Sequence, residues 1–334
     1  MSLAELTWFQ PAMMDAALRQ ELVPVHRFMG APEGTPLTDH AVGEGGLLIE
    51  GSKHWEYAYA IRQSCILAAP GCRALDAGCG RSAFPAYLAG RGVRMFGIDL
   101  NESAIACLRP YGVTAVRGDL SALPYRDESF DQVFCISVLE HTPDPLSCFD
   151  ELWRVTRLGG SLTVTADYAP WGLPARTVAA GRVMDHALLR RLVGVGSMVP
   201  GETPALLEGL GYFSQMWPTV VPVYLRFVKD GAVPPDHTGT ASLPEAGWPI
   251  ATLDSGLRQR TARRCYQAAR DYLHHGWLLE ARALFARAYR LDRGLAKALV
   301  WGGVAHLPGP VLCALRRIQA IMAAPRRGLS AWSL

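Results

Sequence analysis

The sequence predicts an α/β protein built on a doubly wound, mostly parallel sheet between Cys72 and about Asp167. Three observations predict it. Apolar runs alternate with helical stretches: strands are expected at 72–77, 93–98, 113–117, 131–137 and 160–166, and helices at 82–90, 101–109 and 145–157. Alternation at that spacing makes βαβ units, whose strands pair in parallel. Second, runs such as VFCIS are apolar without alternation, as strands covered on both faces must be. Third, ALDAGCGRSAFPAYLAGRGVRMFGIDL (74–100) reads as strand, glycine turn, helix and strand, closed by an acid. α/β domains grip nucleosides with such a unit.

The flanks read differently. Residues 1–70 form a helical cover: AELTWFQPAMMDAALRQELV, a Gly/Pro loop around 30–46, then the helical SKHWEYAYAIRQSCILAA. Trp55 and Tyr59, one turn apart, mark a face packed on the domain. His54, Glu56 and Tyr57 lie beside them, and enclosure of a ligand is the competing reading of that cluster. Residues 71–229 make the ligand-binding domain. Past Asp167, DYAPWGLPARTV is a loop over the carboxyl edge of the sheet, VMDHALLRRLV and TPALLEGLG are short helices, and PVYLRFVK is a late strand. Pro/Gly-rich residues 230–250 have the composition of a linker. Residues 251–334 are a helical extension rich in Ala, Leu and Arg.

Composition narrows the class. With 334 residues, 50% hydrophobic and 19% charged, the chain is a globular protein of one large or two moderate domains. The N-terminus lacks a basic region followed by an apolar run, so no signal peptide is expected. No uncharged apolar stretch reaches the roughly 18–20 residues that span a bilayer. Eight cysteines without a CxxC pair suit buried thiols in a reducing compartment, and the expected location is cytoplasmic. The net charge of +3 is uneven: residues 255–327 carry 14 Lys/Arg against 3 Asp/Glu. An acidic body with a basic tail suggests two parts with different partners.

The glycine turn has two readings. Gly78-x-Gly80-x-x-Ala83, with Asp99 further on, fits a dinucleotide fingerprint whose pyrophosphate rests on a helix N-terminus. Asp76 opposes that reading, because a carboxylate at the strand end repels a diphosphate. It suits a ligand with an amino group and a cationic sulfur, and S-adenosylmethionine has both. Gly78, lacking Cβ, then lets the backbone approach the ligand, and Asp99 accepts from the ribose hydroxyls. The bland alternative for Asp76 is a turn-capping acid. There is no Tyr-x-x-x-Lys pair, no G-x-x-x-x-G-K-[ST] phosphate loop, no Asn/Asp-Pro-Pro-Tyr segment and no convincing metal-ligand spacing.

LDAGCGRS, GIDL and VRGDLSALPYRDESFDQVFCISVLEH, in that order, resemble the motifs of class I S-adenosylmethionine-dependent methyltransferases, of the broad bacterial "methyltransferase domain" group. The resemblance covers residues 72–168 and implies a seven-stranded, Rossmann-like methyltransferase fold. It implies that Asp76, Gly78 and Gly80 line the methionine side, that Asp99 binds the ribose and that Leu100 meets the adenine face. Asp119 would accept from the adenine amino group, with Leu120 at the ring edge, and the Ser137 carbonyl would take the cofactor amine. Ser82 stands where the family often has a third glycine; being small, it can cap the next helix.

Methyl transfer is an in-line displacement, so alignment and water exclusion come first; a base serves only an acceptor that must lose a proton. His141, in SVLEHTPDP, is the leading candidate base, against a reading in which Glu140 and His141 only shape the loop. Asp167 and Tyr168 are placed to meet the acceptor, against an ordinary turn acid and a core aromatic. The acceptor is expected to be a small molecule or glycan of a biosynthetic pathway. A non-catalytic scaffold and a nicotinamide-dependent dehydrogenase are the rivals. YLHHGWLLEARALFARAYRLDR has the spacing of one tetratricopeptide-like helix pair and loosely resembles helical tails of bacterial glycosyltransferases. Arg282, Arg287, Arg290, Arg293, Arg316 and Arg317 suit a peripheral membrane or anionic-carrier contact, against a solvated basic face. Nucleic acid is disfavoured, because no binding motif or interleaved aromatics accompany the charges.

Overall fold

A computed structural model describes residues 2–8, 41–42, 46–49, 53–64, 66, 71–168, 184, 186–193, 221–231, 255–274 and 278–306. The chain divides into two compact units, Met1–Trp248 and Pro249–Leu334. In the first, the strands in chain order are β1 (Ser2–Trp8), β2 (Ala41–Val42), β3 (Leu48–Ile49), β4 (Arg73–Ala77), β5 (Arg94–Asp99), β6 (Thr114–Arg117), β7 (Phe130–Ile136), β8 (Thr156–Tyr168) and β9 (Val221–Val228). The helices are α1 (His54–Ser64), α2 (Ala83–Gly90), α3 (Glu102–Leu108), α4 (Pro145–Val155) and α5 (His186–Val193).

Seven strands form one sheet in the order β1-β9-β8-β7-β4-β5-β6, and β2 pairs only with β3. The β4–β5, β4–β7, β5–β6 and β7–β8 pairs are parallel, whereas β9 runs antiparallel to both β8 and β1. The mostly parallel, doubly wound α/β class is therefore correct. From β4 the chain winds one way through β5 and β6, then the other way through β7 and β8. That reversal opens a crevice at the carboxyl end of β4, where sheets of this kind take their ligands.

Local signals set the elements. Ser82 N-caps α2 by accepting from the Phe84 N–H, and Asn101 and Asp144 cap α3 and α4 in the same way. Leu75 in β4 and Val133, Phe134 and Cys135 in β7 are fully buried, as two-sided coverage requires. α1 closes the N-terminal side: Tyr57 stacks on Phe84 at 5.1 Å and Tyr59 meets Tyr224 edge-on at 4.7 Å. Tyr59 thus packs on the domain as its spacing predicts; the side chains of His54 and Trp55 lie outside the description.

One expectation fails. Residues 2–8, read as the start of a helix, are the edge strand β1, registered from Ser2 opposite Val228 to Trp8 opposite Val223. Long-range pairing overrides local helical preference here, because β9 would otherwise present an unpaired edge. The segment 203–211 and most of the 230–250 connector lie outside the described residues.

A buried lysine ties the far edge together. Lys229, 3% exposed, donates to the carbonyls of Trp153, Arg154 and Thr156 at 3.0, 3.3 and 2.7 Å. It caps the end of α4 from the end of β9, the cationic partner that helix carbonyls favour.

The second unit holds α6 (Ser255–His274), α7 (Leu278–Leu291) and α8 (Ala296–Val304). α6 and α7 pack as a helix pair, with Tyr266 against Phe285 at 5.8 Å. Arg282 donates to the Ala305 carbonyl through Nε and Nη2, at 3.0 and 2.8 Å, pinning the end of α8. Among the described residues, no helix is long and apolar enough to cross a membrane.

Candidate active site

The site begins where β4 stops. Gly78 and Gly80 take φ values of +76° and +51°, and the Gly78 and Cys79 N–H groups both donate to the Ile98 carbonyl, at 2.8 and 3.1 Å. The chain thereby folds back over the end of β5. Asp99 locks it: Oδ2 accepts from the Gly80 N–H and Oδ1 from the Asn101 N–H, each at 2.8 Å. Each carboxylate oxygen keeps a second lone pair for a ligand hydroxyl.

The two glycines do different work. A Cβ on Gly78 would lie 2.5–3.0 Å from the side chain of Val138, so this position is held by Val138 as well as by its φ. A ligand alone is not what excludes a side chain at Gly78. A Cβ on Gly80 would meet nothing within 4 Å, and open space lies in front of the turn there.

In front of the turn lies a crevice. Asp76, Gly78, Cys79, Gly80 and Ile136 line its sheet side, and Leu48, Lys53 and Tyr57 close it from the N-terminal segment. That segment is pinned to the turn, because the Leu48 N–H donates to the Arg81 carbonyl at 2.6 Å and Arg81 Nε to the Gly46 carbonyl at 3.0 Å.

Three carboxyl groups are almost fully buried along this edge: Asp76 (3% exposed), Glu56 (1%) and Glu140 (1%). Burial, with help from nearby Asp99, pushes Asp76 up to about 7. Burial also raises Glu56 to about 7, against hydrogen bonds that favour its charged form, with Asp167 adding to the rise. Glu140 is raised well above the usual carboxylate range by burial and by Asp167. Glu140 Oε1 accepts from the Asp167 N–H at 3.0 Å, while its Oε2 has no partner among the described residues.

Such a group of dry acids is costly unless cations attend it, and Lys53 at the crevice already draws Asp76 and Glu56 part of the way down. A ligand bearing an ammonium and a sulfonium fits them; a dinucleotide would bring further negative charge beside Asp76 and Asp99. S-adenosylmethionine therefore fits this site. Asp76, Gly80 and Asp99 would hold it, supplying backbone approach and negative charge around a methyl donor that is already activated.

The other positions fall as follows. Leu100, just past β5, is 61% exposed and offers an apolar surface. Asp119 is exposed, and its Oδ1 accepts from the N–H and Oγ of Ser121, both at 2.9 Å, which holds it below the usual carboxylate range. Leu120 beside it is buried, and the Gly118 N–H donates to the Asp99 carbonyl at 3.1 Å, so this loop adjoins the end of β5. Ser137 follows the crevice residue Ile136, is buried, and has a φ of +51°. His141 ends a single 3-10 turn, Leu139–His141, and is exposed. Asp167 is half-buried, while Tyr168, 2% exposed, closes β8 within the core. The backbone of Asp167 is joined to Glu140; His141, Asp167 and Tyr168 are not among the residues lining the crevice. Sequence reasoning weighted His141 over its neighbour Glu140 and passed over Lys53 and Thr165. Glu140 lies within a motif the sequence marked, whereas Lys53 and Thr165 lie outside any and meet distant segments. Among the described residues no cluster of His, Cys, Asp and Glu suits a metal ion.

The fold and this site make a segment of the first unit similar to the core of class I S-adenosylmethionine-dependent methyltransferases. Residues 75–164 match the family model described as "Methyltransferase domain". A ubiquinone biosynthesis O-methyltransferase of Hahella chejuensis is 36% identical over 102 residues, 28% of this chain and 43% of that protein. A demethylmenaquinone methyltransferase of Renibacterium salmoninarum is 36% identical over 113 residues, 33% of this chain and 48% of that one. The match thus spans less than half the length of these relatives. Among solved structures, phosphoethanolamine N-methyltransferase 2 of Haemonchus contortus, in complex with S-adenosyl-L-methionine, aligns at 18% identity and a TM-score of 0.39, covering 51% of this chain and 53% of that one.

The two glycines differ testably. Gly80→Ala should cost roughly 1–2 kcal/mol of stability, the strain of a left-handed alanine. Gly78→Ala adds a clash with Val138, worth about 1–3 kcal/mol more. Urea unfolding of both variants checks this, and equal losses would contradict the packing role of Val138.

Proposed function

We propose that the chain transfers a methyl group from S-adenosylmethionine to an oxygen or nitrogen atom of a small molecule or glycan in a biosynthetic pathway. One observation carries the reading: Asp76, 3% exposed, lies in a crevice beneath a glycine turn that Asp99 clamps. A buried acid there attracts a cationic nucleoside and repels a nicotinamide dinucleotide. In this reading Asp76 and the Ser137 carbonyl face the amino-acid end, Asp99 the ribose, and Leu100, Asp119 and Leu120 the adenine. The names of two relatives make a ubiquinone precursor and demethylmenaquinone the first acceptors to try. His141, Asp167 and Tyr168 stand as the candidate acceptor-side groups.

The experiment is calorimetry with S-adenosylhomocysteine and with NAD, followed by an assay for S-adenosylhomocysteine release in the presence of candidate acceptors. Saturable binding of the nucleoside and acceptor-dependent release are expected. Asp99→Ala should weaken binding by roughly 1–3 kcal/mol, since hydrogen bonds to a charged group are lost. His141→Ala should slow turnover while leaving affinity nearly intact, and unchanged turnover removes His141 as a base. NAD binding without response to the nucleoside overturns the reading; nucleoside binding without turnover on any acceptor favours a scaffold.

For the second unit, contact with an anionic membrane or lipid-linked carrier is supported by α8, where Leu299 and Val300 are 60% and 64% exposed. Exposed Arg290 stands on α7, Arg293 between α7 and α8, and Lys297 on α8. Co-sedimentation with phosphatidylglycerol vesicles, absent with phosphatidylcholine and lost in high salt, is the expected result. Equal behaviour on both lipids contradicts it.

A further inference from the structure

Glu56 belongs to α1, outside the segment that matches the methyltransferase family, yet its carboxylate is buried at the tips of β7 and β8. Its Oε2 accepts from Ser137 Oγ at 2.9 Å and from Thr165 Oγ1. The Ser137 N–H donates to Thr165 Oγ1 at 3.0 Å and to the Thr165 carbonyl at 3.0 Å. Glu56, Ser137 and Thr165 therefore close a ring of hydrogen bonds, with both hydroxyls spending their single proton on one carboxylate oxygen.

What the ring holds is unusual. Ser137 has a φ of +51°, a backbone state that favours glycine, at the point where the chain leaves β7 beside the crevice. A residue with a Cβ persists in that state only where its surroundings over-determine it. Here the surroundings are identified: the N–H is fixed onto Thr165 and the side chain onto Glu56. No described backbone N–H donates to the Ser137 carbonyl, which leaves it available to a ligand.

We infer that Glu56 is a positioning residue: by fixing the left-handed turn at Ser137 it presents the Ser137 carbonyl to the amino group of S-adenosylmethionine. The inference rests on the cofactor reading above. It gives the N-terminal helix a part in donor binding that a simple cover would not have. Thr165 is the relay, and a glycine at 137 makes the device unnecessary, since glycine takes the same φ unaided.

The test uses the full chain and two nucleosides, S-adenosylhomocysteine and 5′-methylthioadenosine. The second lacks the amino-acid portion and so cannot sense Ser137. Dissociation constants are measured by calorimetry for wild type, Glu56→Leu, Glu56→Gln, Thr165→Val and Ser137→Gly, and for each of the first three substitutions combined with Ser137→Gly. Glu56→Leu and Thr165→Val should weaken S-adenosylhomocysteine at least tenfold and 5′-methylthioadenosine less than twofold. Glu56→Gln, which keeps an accepting oxygen, should stay within threefold of wild type for both. In the Ser137→Gly background the losses should shrink below threefold. Equal weakening of both nucleosides, or an undiminished loss in the glycine background, overturns the inference and leaves Glu56 as an anchor for α1. If Glu56→Leu does not fold, Thr165→Val carries the same comparison. Failure of wild type to bind either nucleoside overturns the cofactor reading itself, whereas normal wild-type binding with insensitive variants overturns only the role of Glu56.

Discussion

The rest of the site depends on negative charge kept away from water at the carboxyl edge of a parallel sheet. Asp76 is buried at the end of β4, and Asp99 closes β5 beside it and raises its proton affinity. Unliganded, the two acids repel, and burial denies Asp76 the solvation that would ease its ionisation. A cation reverses the balance, since an opposite charge within a few ångströms favours the ionised form. This constraint underlies the proposed ligand choice, a positively charged nucleoside over a diphosphate. Asp99 also holds the glycine turn, accepting from the Gly80 N–H.

The sheet side of the crevice and the segment that closes it have different origins in the sequence. β4 to β8 carry the family pattern and supply Asp76, Gly80, Asp99 and the Ser137 turn. Leu48, Lys53, Glu56 and Tyr57 come from the segment before it and are fastened by long-range contacts. Glu140 is buried, with one oxygen unpartnered among the described residues, and Asp167 is half-buried.

Much of this was legible in the sequence, for local reasons. The apolar runs at 73–77 and 130–136 had no alternation to confuse them, and Ser82, Asn101 and Asp144 are ordinary caps that fixed the helix starts. The acids at 76 and 99 stood out because they end strands on either side of a glycine turn. What escaped was non-local. Ser2–Trp8 carries no local signal that it will pair with Val221–Val228. Glu56 and Thr165 are 109 positions apart, and nothing in either neighbourhood announces their bond. Gly78 looked like a place for ligand approach, whereas the atoms nearest its missing Cβ belong to Val138. Lys229 reads as one more surface lysine until its three carbonyl partners are seen. Local chemistry shows in a sequence; partners supplied by tertiary folding do not.

The central claim is that Asp76 is a dry carboxyl that a cationic nucleoside converts to a stable carboxylate. Its titration by carbon-detected NMR, with the side-chain carboxyl labelled, measures this directly. In the free protein the midpoint should lie at about 7, and saturation with S-adenosylmethionine should move it far downward, while neutral 5′-methylthioadenosine should not. A free-protein midpoint in the ordinary range near 4, or one that S-adenosylmethionine leaves in place, would contradict the account.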